Sequence, residues 1–119
     1  MLKAIFIVTL LVTSVPDVQE AWQRDLHYRA VAAGAVSTTE AAAWGAPAMA
    51  GSRYVLMQPE SGREVYLRLI RAPEAEGWTP MATEGWNAVE LLVQDPEILV
   101  RRLAYSKDFT IVGEPRYLS

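Results

Sequence analysis

Two stretches of this chain follow one plan, and that repetition constrains the fold more than any other feature. Ile7-Val8-Thr9-Leu10-Leu11-Val12-Thr13-Ser14 aligns without a gap over Ala88-Val89-Glu90-Leu91-Leu92-Val93-Gln94-Asp95. Each is an apolar, β-rich run of the form x-Val-x-Leu-Leu-Val that closes on Ser14 or Asp95 and is soon followed by Pro16 or Pro96. Ser and Asp side chains accept hydrogen bonds from the free amides of a first helical turn, and proline is tolerated there because it has no amide to leave unpaired. A strand running into a helix is therefore expected twice. Taken alone, Lys3, the apolar residues 4–12 and the small Ser14 also fit a secretory leader. A leader has no reason to match an internal segment in spacing, cap and proline, so the opening is expected to be a strand.

The segments after the caps carry helical periodicity. Val15, Val18, Trp22 and Leu26 share one face of the first, and Ser14-x-x-Asp17 resembles a capping box with Asp in place of Glu. Ile98, Leu99 and Leu103 form the face of the second, with Arg101 and Arg102 in its last turns, where cations suit the helix dipole. Between them, residues 30–37 read as a strand broken by Gly34. Residues 39–44 read as an Ala-rich helical turn with Gly45 in the C-cap position. Residues 53–59 and 64–72 then make two strands joined by the loop Glu60-Ser61-Gly62-Arg63, with Gly62 supplying positive φ. The acidic, Pro- and Gly-rich residues 73–84 suit a connection. The expected organisation is a strand-helix-strand-strand-strand module over 1–72, a linker over 73–84, and a partial second module over 85–119. That second module has a strand, a helix and a last strand over 109–115, and lacks two strands by comparison with the first.

Composition narrows the function classes. With 119 residues, 51% of them hydrophobic, the chain can build one small core. A net charge of −3 and scattered basic residues argue against a nucleic-acid partner, which requires clustered Lys and Arg. There is no cysteine, which excludes disulfides, zinc-thiolate and iron-sulfur sites and a Cys nucleophile, and a reducing cytoplasm is the expected location. No apolar run reaches the roughly 18 residues of a membrane span.

The tandem module, with its openings "LKAIFIVTLLVTSVPDVQEAWQRDL" and "GWNAVELLVQDPEILVRRLA", resembles the vicinal oxygen chelate superfamily of glyoxalase I, bleomycin-resistance proteins and extradiol dioxygenases. The resemblance implies an α+β fold in which paired βαβββ modules form a cupped mixed sheet around a divalent metal. It also implies pairing of modules within one chain or across a dimer, so a homodimer or a continuation of the chain is expected. By that resemblance the first-strand metal ligand falls on Ile7, its second-module equivalent on Ala88 and the last-strand ligand on Arg68. None of the three is a metal donor, so the metal site is expected to be lost and no cofactor is expected.

Residues two apart on a strand share a face. Ile5, Ile7, Thr9 and Leu11 form one row beside those positions, Tyr66, Arg68 and Ile70 a second, and Trp86, Ala88, Glu90 and Leu92 a third. Ile7, Thr9, Tyr66, Arg68, Trp86, Ala88 and Glu90 are thus the candidate lining of a pocket for a small organic molecule. Arg68 would hold a carboxylate, phosphate or enolate oxygen, and Glu90 would act as base or orient a hydroxyl. The competing structural role is an Arg68–Glu90 ion pair in place of the metal.

Three functions follow: a small-molecule binding protein of the bleomycin-resistance kind, a metal-independent lyase or isomerase using Arg68 and Glu90, and a non-enzymatic assembly half-module. Metal-dependent chemistry would need ligands from a further segment or a partner chain. His27, the sole histidine, is expected to be exposed at the end of the first helix, and Ser37-Thr38-Thr39 to act as a helix cap. Trp22 and Trp44 are expected in the core, with Trp78 and Trp86 as ligand contacts. "GSRYVLMQPESGRE" lacks phosphate-loop spacing.

Overall fold

A computed structural model describes residues 6–72, 91, 93 and 95–113. The chain divides into two compact units, Met1–Gly77 and Trp78–Ser119. The first is an α+β unit built on a four-stranded mixed sheet. Its elements are β1 (Ile7–Val12), α1 (Val15–Leu26), β2 (Tyr28–Ala35), α2 (Thr38–Ala43), a 3-10 turn (Pro47–Met49), β3 (Arg53–Pro59) and β4 (Tyr66–Arg71).

The strands lie in the order β1-β4-β3-β2. β4 pairs parallel to β1 and antiparallel to β3, and β3 pairs antiparallel to β2. α1 therefore carries the chain from one edge of the sheet to the other, and the last strand fills the gap between them.

Local chemistry places the elements. The Ser14 side chain accepts from the Asp17 amide at 3.4 Å, with proline in the first turn, as the repeat implies. α1 ends at His27, which takes a left-handed conformation (φ 55) and lies 3.8 Å from a Glu60 carboxylate oxygen. α2 starts in a full capping box, in which Ser37 Oγ accepts from the Glu40 amide at 3.0 Å and Glu40 Oε1 accepts from the Ser37 amide at 3.4 Å. Gly45 (φ 70) turns the chain after α2, and Gly62 (φ 82) does so in the β3–β4 loop. Gln58 Nε2 braces that loop by donating to the Gly62 and Arg63 carbonyls at 3.2 and 2.9 Å.

The pleat sorts the side chains. Met57, Leu67 and Leu69 are buried on the face that α1 covers, together with the half-buried Val8, Leu10 and Val12. Val15, Ala21 and Trp22 of α1 are buried, and Trp22 meets Tyr28 edge-to-face at 5.0 Å. Burial raises the Tyr28 phenol above its ordinary value of 10.0. Asp25, also buried, is held by the Arg24 guanidinium at 3.2 and 2.8 Å. On the opposite face α2 and the 3-10 turn cover one end of the sheet, where Val36, Ala41 and Ile70 cluster with Met49 and Tyr54.

Several expectations are corrected. β2 starts at Tyr28 rather than residue 30, and Gly34 does not break it. The Tyr54 ring lies against Gly34, where an added Cβ would stand 3.2 Å from its hydroxyl, so the small residue makes room for a neighbour. Trp44 is 40% exposed and not part of the core, because it sits at the C-cap of the short α2, immediately before the turn at Gly45. Ile70 is buried under α2 and does not line the open face.

In the second unit α3 (Pro96–Leu103) carries the expected cap, with Asp95 Oδ1 accepting from the Ile98 amide at 3.1 Å and proline in its first turn. Ile98, expected on its apolar face, is 57% exposed. Of the last strand expected over 109–115, residues 109–113 are described and are not strand. A strand needs a ladder partner, and no pairing joins these residues to another described segment. The expected strand before Asp95 lies largely outside the described residues.

Candidate functional site

The candidate site lies on the sheet face opposite α1. Register brings its residues together: Ile7 faces Tyr66, Thr9 faces Arg68, and on the other side Arg68 faces Leu56, which in turn faces Ala32. The result is a row across all four strands, Thr9-Arg68-Leu56-Ala32, with Arg68 as its one charge. Ile7 and Thr9 are exposed, and Tyr66 and Arg68 half-buried.

Two contacts hold the Arg68 guanidinium. Its Nε donates to Thr9 Oγ1 at 3.1 Å, and its Cζ stands 4.6 Å from the centroid of the Trp44 ring. The hydrogen bond fixes one edge of the planar group, and the indole, which attracts a cation over its face, fixes one side. Among the described residues no carboxylate pairs with Arg68, and its two terminal nitrogens have no partner. The guanidinium is thus a cation whose two terminal nitrogens are engaged by no described group.

The structure thus brings Ile7, Thr9, Tyr66 and Arg68 onto one face. Trp86, Ala88 and Glu90 lie outside the described residues, as does the expected Arg68–Glu90 pair. Trp44 is the contact that sequence reasoning missed. A signal for it was present: a tryptophan between the last residue of a short helix and a turn glycine has too little chain around it to be enclosed.

A divalent metal does not fit these residues. Ile7 offers only hydrocarbon and Arg68 places a positive charge where a cation would sit. Among the described residues no group of three or more His, Asp or Glu side chains converges. Among them, too, no helix is long and apolar enough to cross a membrane. Two surface depressions lie away from Arg68, one bounded by Ala50, Gly51, Ser52, Arg53 and Arg71, the other between α1 and the edge of β2 and β3.

Comparison of the chain with protein-family models, with curated proteins and with solved structures gives no match.

Proposed function

We propose that the open face of the sheet binds a small organic molecule through an oxyanion, a carboxylate or an enolate, with Arg68 as its anchor. The observation that carries this is the Arg68 guanidinium, held by Thr9 and Trp44 and left with terminal donors that no described carboxylate uses. The exposed Ile7 side chain and the Trp44 ring offer apolar surface for the body of the molecule beside the charge, the mixture usual in small-molecule sites. Binding is the part of this reading that the described residues carry, since the candidate base, Glu90, lies outside them.

The same reading keeps the resemblance to the vicinal oxygen chelate superfamily, and within it to metal-free binding proteins; the order of the first unit is compatible with the module apart from α2 and the 3-10 turn inserted between β2 and β3. The same proposal includes a cytoplasmic location. It also includes pairing with a second copy or a further segment, in keeping with β1 and β2 each pairing on one side only among the described residues. A single monomeric species in sedimentation would count against the second copy.

The test is calorimetric titration with benzoate and other aromatic carboxylates of the protein and of Arg68→Gln. Saturable binding that falls by about tenfold or more in the variant is expected, since a charge-assisted hydrogen bond contributes about 1.5–3 kcal/mol. Equal affinity in both proteins would remove Arg68 from the site.

A further inference from the structure

We infer that Arg53 and Arg71 form a second anion site, on the other face of the sheet, matched in charge to a compact dianion of the phosphate type. The register places them together. Tyr54 of β3 and Ile70 of β4 are the last paired residues of their ladder, and continuing that register by one position sets Arg53 opposite Arg71. By the alternation of the pleat both point to the face of Val55 and Leu69, opposite that of Arg68. The site therefore does not rest on the reading of the Arg68 face.

Like charges directly opposite on a ladder repel each other and destabilise the pair. The repulsion could be relieved by carboxylates, yet among the described residues neither arginine is paired with one. Both line a single depression with Ala50, Gly51 and Ser52. Its floor is open at Gly51: that residue has φ +83, and a Cβ built on it would meet nothing within 4 Å. Two cations thus border one open depression beside a residue without a side chain. A monoanion would neutralise one of them. A tetrahedral dianion neutralises both and presents enough oxygens for two guanidinium forks. The arginines are exposed, so the attraction is screened by salt and binding should weaken as ionic strength rises.

The experiment is titration of the full chain with inorganic phosphate near about pH 8, where phosphate is chiefly a dianion, followed by calorimetry and by backbone amide NMR. Saturable binding is expected, about tenfold weaker in Arg53→Gln and in Arg71→Gln and absent from the double variant. The shifted amides should centre on residues 50–53 and 71. That localisation is read on the unaltered protein and stands even if a variant fails to fold. Phenyl phosphate is titrated in parallel. Tighter binding than phosphate establishes the site and assigns it to phosphomonoesters, and equal binding establishes it for the free ion. No saturable binding of either, shifts centred elsewhere, or unchanged affinity in a folded double variant would overturn the inference.

Discussion

Arg68 is worth following as a single residue because its two restraints are separable. Thr9→Val removes the acceptor of the 3.1 Å hydrogen bond while keeping the shape, and Trp44→Ala removes the ring beneath the charge. Each should weaken carboxylate binding by roughly threefold to tenfold, in line with about 0.5–1.5 kcal/mol for one such contact. Arg68→Lys should lose more than either, because an ammonium cannot present a planar fork while held by Thr9. Titration of the three variants with benzoate checks the order, and a lysine variant that binds as well as the original would refute the geometric part of the argument. Sequence reasoning put Ile7, Thr9, Tyr66 and Arg68 on one face, strand alternation giving the row within each strand and the family resemblance setting the rows side by side, and the register agrees with that placement. It misplaced Trp44 because no periodicity runs through a six-residue helix and the turn beyond it, and tertiary placement there is set by the chain path from Ser37 to Ser52.

Among the elements, α1 is the one whose ends were most legible. Its cap, proline and apolar stripe all lie within a few residues of each other, so local chemistry decides the boundary. Ser14→Ala should cost about 1 kcal/mol, readable as a lower urea midpoint with an unchanged slope. A second expectation concerns the junction of α1 and β2. The Tyr28 phenol, raised above 10.0 by burial, is favoured in its protonated form by the folded chain. Its contribution is therefore complete below pH 10.0 and is lost as pH rises through the higher folded value. Stability should fall on the alkaline side, and Tyr28→Phe should abolish that part of the fall. An alkaline limb identical in both proteins would contradict the assignment. The last strand expected over 109–115 shows the opposite case, since apolar residues in sequence specify a strand only when a partner edge exists.

For the whole first unit, the sheet order explains which parts should resist opening. β4 is flanked by β1 and β3, and its own Leu69 and Ile70, with Met57 of the adjacent β3, are the largest fully buried side chains among the described residues. Leu69→Ala should cost about 2–5 kcal/mol by leaving a cavity between sheet and α1, measured by denaturant unfolding. The repeat made the strand-helix start of the module readable, but not the position of β4 between β1 and β3. Chain order says which elements exist, whereas the pairing of the first strand with the last depends on contacts nearly sixty residues apart. The opposition of Arg53 and Arg71 was hidden for a more local reason: it follows only once the register of the β3–β4 hairpin is fixed.

The central claim, that Arg68 anchors an organic oxyanion on the open face, is tested most directly by NMR of the tryptophan indole and arginine Nε groups during a benzoate titration. The Arg68 Nε and Trp44 indole signals should move together, saturably, while that of the core residue Trp22 stays in place. Movement of Trp22 alone, or no saturable change at Arg68, would contradict the account.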